Sequence, residues 1–189
     1  MTTAILLAVP VLLVLYAWYA SIVRRKNQVG EALGGVDVQL AQRHDLIPNL
    51  LAIAKRFMAH EQDLLEEITR LRAQGRQAIG ATGAPAIAQK FAAEEKLGAD
   101  LQRLFAVAEN YPDLKSQAPM LEAQRSLLEV ETNIAASRRY YNSAVAQLRN
   151  ATQIFPGTLL AGLAGAGSIP PFFEAAAEQR GAIDAAAYL

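Results

Sequence analysis

The sequence contains no cysteine, which excludes disulfides, thiolate nucleophiles and thiolate metal sites. It has only two histidines, His44 and His60, and this argues against a histidine-rich metal site. Neither sign of charge is in excess, because 18 Lys and Arg residues balance 18 Asp and Glu residues. Binding to nucleic-acid phosphates requires a basic surplus, so we expect no nucleic-acid partner.

Motifs typical of enzymes are also missing. His60 and Glu61 begin like the helix motif of zinc proteases, but Leu64 stands where the second histidine is required. His44 and Asp45 are neighbours and would be the alternative, a catalytic or metal-binding pair. No third ligand, nucleophile or glycine-rich loop accompanies them. We therefore predict that the protein is not an enzyme and needs no cofactor and no metal.

What is present begins with an uncharged apolar segment at residues 4–23, preceded by the short segment 1–3. Twenty helical residues span about 30 Å, the thickness of the hydrocarbon core of a bilayer. Arg24, Arg25 and Lys26 follow at once, and the positive-inside rule then places the N-terminus outside and the rest of the chain in the cytoplasm. The pattern predicts a transmembrane helix. A cleaved signal peptide is the alternative, although no basic residue precedes the apolar run.

A heptad pattern of apolar residues then continues through most of the chain. It predicts three helices, at about 24–73, 85–111 and 119–155, separated by loops rich in glycine and proline. Because the pattern crosses Pro48 in phase, we interpret the first helix as one kinked element. The predicted fold is therefore all-α: an N-terminal transmembrane helix continuous with a helical stalk and a long antiparallel three-helix bundle over residues 24–155.

The remaining segment, residues 156–189, is apolar and rich in Gly, Ala and Pro. Prolines interrupt it, so it is too broken for a second membrane span. We interpret it as a tail that lies on the bundle. The alternative is a contact surface for a second copy or for the membrane.

A cluster of polar residues around a proline predicts a structural joint in the first helix, at Arg43, His44, Asp45, Pro48 and Asn49. A proline inside a helix removes one hydrogen bond. Pro48 thereby frees the carbonyl of His44, which needs another donor if it is buried. Alternatively, Asp45 caps a helix that restarts there. Either interpretation marks the place where a stalk becomes a bundle.

Glu61, Glu94 and Arg138 each occupy a core-facing heptad position. On the predicted helix lengths they fall at one level of the bundle. We predict a buried polar layer in which Arg138 bridges the two carboxylates and fixes the register of the helices. The alternative is that each side chain reaches water separately.

An apolar stripe formed by Val29, Leu33 and Val36 continues the heptad pattern below the level that the other two predicted helices reach. Such a stripe lacks a partner within the chain, and exposed stripes of this kind mark contacts. It predicts a homo-oligomer joined through the stalk.

Four segments resemble the LemA family: "DVQLAQRHDLIPNLLAIAKRFMAHE" at 37–61, "YPDLK" at 111–115, "ETNIAASRRYYNSAV" at 131–145 and "FPGTLLA" at 155–161. They lie in order along nearly the whole chain after the apolar segment. The family includes a protein of bacterial magnetosome membranes. The resemblance implies a single-pass protein of the bacterial inner membrane with a long helical bundle, and it implies no enzymatic activity.

The expected function is that of a membrane-anchored helical scaffold or self-assembling protein, which acts through protein–protein contacts without catalysis. Its expected partners are the lipid bilayer, further copies of itself and an envelope protein. The alternative is an adaptor for a membrane-bound envelope protease or another envelope enzyme.

Overall fold

The computed structural model describes the backbone of residues 2–173 and the side chains of residues 9–173. Within this range the chain is helical and has no strand. Met1 and residues 174–189, which include the end of the predicted tail, lie outside it. The helices are α1 (Thr2–Ala54), α2 (Gln62–Ala78), α3 (Ala84–Ala108), α4 (Pro112–Lys115), α5 (Ala118–Gln153) and α6 (Gly157–Leu160).

The longest helix, α1, has 53 residues and is about 80 Å long. It lies antiparallel to α5, because Trp18 contacts Ala151 near one end of the pair and Arg43 reaches Glu131 farther along. Apolar residues at heptad spacing on both helices form the interface between them. This helical hairpin is the frame to which the other elements attach.

The predicted single helix at 24–73 is wrong, since the chain turns back on itself at residues 55–61. The backbone N–H groups of Phe57 and Met58 both donate to the carbonyl of Ala54 and close the end of α1. The apolar pattern keeps its phase across the turn because α1 and α2 bury their apolar residues in the same core. The part of the chain that the structure describes consequently has four long helices where the sequence predicted three.

The hairpin of α2 and α3 lies beside the second half of α1. Helix α2 runs antiparallel to α1, as the contact of Arg72 with His44 shows. The loop between α2 and α3 reaches the level of Asp37, whose carboxylate accepts from the backbone N–H of Gly80 at 3.0 Å and from Lys90 Nζ at 2.6 Å. On the N-terminal side of Asp37 along α1, the described molecule consists of two long helices, α1 and α5. On the C-terminal side it consists of four, because α2 and α3 lie beside them. We call these the proximal and distal parts.

The described part of the predicted tail lies on the proximal part. The ring of Phe173 stacks on Phe91 at 4.0 Å between centroids. The hydroxyl of Tyr141 donates to the carbonyl of Pro171 at 2.8 Å, and Asn142 exchanges two hydrogen bonds with the backbone of Phe173. Up to Phe173, the tail thus packs against α5 and against the N-terminal part of α3.

The predicted oligomer stripe is covered within the chain. Val29 and Val36 are buried and Leu33 is half-buried, all in the apolar cluster formed with α5 and the tail. The prediction assumed that nothing in the chain reached this level. That assumption is wrong, because α5 is long enough to reach this level of α1 and the tail packs in the same apolar cluster.

No helix in the described part of the chain contains a stretch long and apolar enough to cross a membrane. The transmembrane helix predicted at residues 4–23 is therefore not found there. Its residues 4–8 fall outside the residues whose side chains are described.

Candidate functional site: a buried polar layer

Charged side chains divide the apolar interior into two clusters. On α1, Arg43 and His44 lie between Leu40 of the proximal cluster and Ile47 of the distal cluster. On α3, Glu94 occupies the same level. The three polar residues are almost completely buried, with relative exposures of 3%, 0% and 1%. Burial of charge is costly unless each group is paired, so their partners decide what the layer does.

The carboxylate of Glu94 is the centre of the layer. His44 Nε2 lies 2.8 Å from Oε1, and because an ionised carboxylate only accepts, this ring nitrogen carries a proton. Arg43 Nη2 donates to Oε2 and also to the backbone carbonyl of Glu94, the latter at 2.9 Å. Arg43 Nη1 donates to Glu131 Oε1 on α5 at 2.8 Å. The layer thus ties α1, α3 and α5 together.

A glycine on α2 makes room for this arrangement. A Cβ atom at Gly75 would lie 2.3 Å from Glu94 Oε1 and 2.6 Å from His44 Cε1. Gly98 on α3 plays a weaker part, because its Cβ would lie 3.3 Å from Arg43 Nη1. Helix α2 can therefore approach the layer closely only because residue 75 has no side chain.

The pKa of Glu94 reflects two opposing effects. Burial acts to raise it, but the hydrogen bond from His44 and the positive charge of Arg43 outweigh burial and hold the pKa below its ordinary value of 4.5. The unfolded state consequently binds the proton more readily than the folded state. The stabilisation from ionised Glu94 is present above pH 4.5 and is lost as the pH falls through the lower folded-state pKa.

We expect the difference in free energy of unfolding between the parent and Glu94→Gln to shrink as the pH falls below 4.5, because the amide resembles the protonated acid. Denaturant titrations of both proteins at neutral and acidic pH measure this difference. All other carboxylates are common to both and cancel. A difference that stays constant with pH would contradict the assignment of an ionised Glu94.

The predicted joint at Pro48 lacks one backbone hydrogen bond but does not end the helix. Pro48 lies inside α1, which continues to Ala54, so Asp45 does not cap a restarted helix. The carbonyl that Pro48 frees, that of His44, accepts from Arg72 Nε at 2.7 Å. The donor to this carbonyl therefore comes from α2. Asp45 is exposed and pairs with Arg76 at 3.2 Å, and Pro48 and Asn49 are exposed.

The hydrogen bond from Arg72 to the carbonyl of His44 predicts an energetic coupling between Arg72 and Pro48. Arg72→Met leaves a buried carbonyl without a donor, and we expect it to cost about 1–3 kcal/mol of stability. In a Pro48→Ala background, the new backbone N–H can donate to the carbonyl of His44, so the same change should cost much less. A double-mutant cycle in denaturant measures the difference. Additive effects would show that Arg72 does not replace the hydrogen bond that Pro48 removes.

The predicted polar layer has one correct member. Glu94 is in the layer, but Glu61 lies in the turn before α2, at the far end of the distal part. Arg138 is half-buried on α5 and stacks over the ring of Phe173 at 4.0 Å. Burial is the main reason that its pKa lies below the usual value, and Glu95 and Glu131 oppose this effect. Arg138 bridges neither Glu61 nor Glu94.

The sequence contained a signal for the true members. Arg43 also occupies a core-facing heptad position, although the polar cluster around Pro48 favours placing it in the joint. The alternative pair of His44 and Asp45 is not brought together, because His44 points inward to Glu94 while Asp45 is exposed. Among the described residues, no group of three or more His, Asp or Glu side chains is arranged to hold a metal ion.

The charged groups of the layer pair with one another, although two buried nitrogens, Arg43 Nε and His44 Nδ1, have no hydrogen-bond partner among the described residues. Both oxygens of Glu94 are taken by Arg43 and His44, and the second amino group of Arg43 is taken by Glu131. Such an arrangement holds helices at one register, because sliding any helix by one turn would separate buried charges. The fold and this layer define a class: an elongated, all-helical bundle protein with a polar layer between two apolar cores.

The LemA family matches residues 32–185, and the chain therefore belongs to the LemA family. No curated protein matches the sequence.

Proposed function

We propose that the protein is a membrane-anchored helical scaffold that acts through protein–protein contacts and performs no catalysis. The observation that carries the proposal is the continuity of α1. This single helix contains an apolar stretch at residues 9–16. Farther along, the same helix contributes buried residues to the core of the bundle. One helix, about 80 Å long, thus joins the apolar stretch to the bundle.

The anchor in this proposal is the segment at residues 4–23. The side chains from Val9 to Val14 are apolar and exposed on all sides of α1. Val11, Leu12 and Leu13 are about 60% exposed. A helix that exposes apolar residues on all sides is suited to lipid. With Arg24 to Lys26 retained on the inner side, the bundle would lie in the cytoplasm at the bacterial inner membrane.

The contact surface that we propose for a protein partner is a groove between α3 and α5 in the distal part. Its volume is about 200 Å³. Leu128 stands at its edge with 70% of its surface exposed, and Leu121, two helical turns earlier on α5, is 40% exposed. Exposed apolar residues beside a groove are typical of interaction sites. The groove is lined by Gly98, Leu101, Gln102, Phe105, Gln124, Leu127, Leu128 and Glu131.

Self-assembly and service as an adaptor for an envelope protease remain two forms of this proposal. The stripe at Val29 and Val36 no longer supports self-assembly, because the chain covers it. The groove can serve either form, since it offers a second copy or another protein the same apolar edge. Catalysis is not proposed, because the buried charged groups pair with one another.

The test is site-specific photo-crosslinking in native membranes, with the crosslinker at Leu128. A matched control places it at Glu122, which is exposed on a different side of α5. We expect Leu128 to give the stronger product. A ladder of self-crosslinks would identify an assembling scaffold, and one dominant heterologous product would identify an adaptor. Equal yields at both positions, or none at either, would overturn the groove as the contact surface.

A further inference from the structure

A second apolar surface lies where α5 ends and the tail begins. We call residues 154–163 the elbow. Four of its large apolar side chains are exposed. The exposed fractions are 57% for Ile154, 74% for Phe155, 68% for Leu159 and 77% for Leu163. Single exposed apolar residues are normal, but four within ten residues form a patch.

The exposure is not a consequence of loose packing. The inner side of the elbow is fixed on the frame: Gly157 is buried, Leu160 packs against the proximal cluster and Ala164, just beyond the elbow, is buried. A Cβ atom at Gly157 would lie 1.9 Å from the carbonyl oxygen of Ala151, so the chain approaches α5 very closely there. The elbow thus holds its outer apolar side chains in place.

The elbow lies beside the apolar stretch of α1. Trp18 Nε1 donates to the carbonyl of Ala151 at 3.2 Å, one turn before Ile154. A Cβ at Gly157 would also lie 3.0 Å from the same nitrogen of Trp18. Leu13 is only five residues, about 7 Å, farther along α1. The two exposed apolar surfaces therefore belong to one end of the molecule.

Among the described residues, the charge around this end has one sign. Residues 1–30 and 132–173 contain no acidic residue, so all 18 Asp and Glu residues lie elsewhere in the sequence. The basic residues nearest the elbow are Arg149 and the group from Arg24 to Lys26. A Cβ atom at Gly165 would lie 2.9 Å from Lys26 Nζ, which places this ammonium group against the tail.

We propose that the elbow inserts into the boundary between headgroups and acyl chains of an anionic bilayer, beside α1. This inference rests on the proposed membrane anchor and adds a second, independent point of contact. Apolar side chains flanked by Lys and Arg are typical of surfaces that lie in the membrane interface. A second copy is a poorer occupant, because it would bring the same positive charge to the contact.

The absence of cysteine makes the test direct, since each variant carries a single thiol. The full-length variants Leu159→Cys and Leu163→Cys are labelled with an environment-sensitive fluorophore in vesicles of equal parts phosphatidylcholine and phosphatidylglycerol. Leu13→Cys reports the anchor, and Leu128→Cys is a matched exposed control in the distal part. We expect a lipid-borne quencher to quench the elbow labels severalfold more than the label at position 128. In pure phosphatidylcholine this quenching should weaken.

The outcomes separate the two proposals. If the label at Leu13 is quenched but those at Leu159 and Leu163 behave like the one at Leu128, the elbow proposal fails while the anchor stands. If the label at Leu13 is not quenched, the anchor itself fails. Disulfide-linked dimers through position 163 without lipid quenching would identify a contact between copies and overturn the proposal. Equal elbow quenching in both lipid compositions would overturn its anionic specificity.

Discussion

Arg43→Met is expected to lower the free energy of unfolding by about 3–5 kcal/mol, because it leaves the buried carboxylate of Glu94 without its main cationic partner. The same change also removes the hydrogen bond to Glu131. His44 remains as the one direct side-chain partner of Glu94 among the described residues, which is too little to offset the burial of a charge. Chemical denaturation of the full chain in detergent, followed by circular dichroism, measures the loss. A parent-like transition would contradict the layer.

Two further variants show whether the layer acts as a unit. In the triple change Arg43→Met, His44→Leu and Glu94→Leu, no charge stays buried in the layer, so much of the lost stability should return. Arg70→Met removes an exposed pair with Glu67 on the surface of α2 and should leave the transition close to that of the parent. A triple variant less stable than the single one would show that the layer adds net stability, contrary to this account.

The apolar pattern predicted which side of each helix is buried better than it predicted the direction of the helices. Leu64 and Leu71 were placed on the core side, and both are buried there. Their helix runs back along α1 and does not extend it, because the chain turns at residues 55–61. Heptad spacing cannot distinguish these two courses, since both put the same side chains into one core. The turn contains no glycine or proline to announce it.

This one reversal explains why the members of the polar layer were predicted only in part. With α2 extended outward, Glu94 falls at the level of Leu64 and Glu61; with α2 folded back, it falls at Gly75 and His44. That charged residues in core-facing positions meet in a layer could be predicted from the sequence. Which of these charged residues meet depends on the course that the chain takes in three dimensions. The close approach at Gly75 had no sequence signal beyond the glycine itself.

Gly75→Ala is expected to destabilise the protein by about 1–3 kcal/mol, although alanine is ordinarily the better residue inside a helix. The added methyl group would overlap Glu94 Oε1 and the ring of His44, and neither can move aside because both are fixed by buried hydrogen bonds. Gly34→Ala on α1 is the matched control. Nothing lies within 4 Å of its Cβ, so there the ordinary helix preference should raise stability by up to about 1 kcal/mol. Denaturation midpoints that shift in the same direction for the two variants would show that α2 does not touch the layer as described.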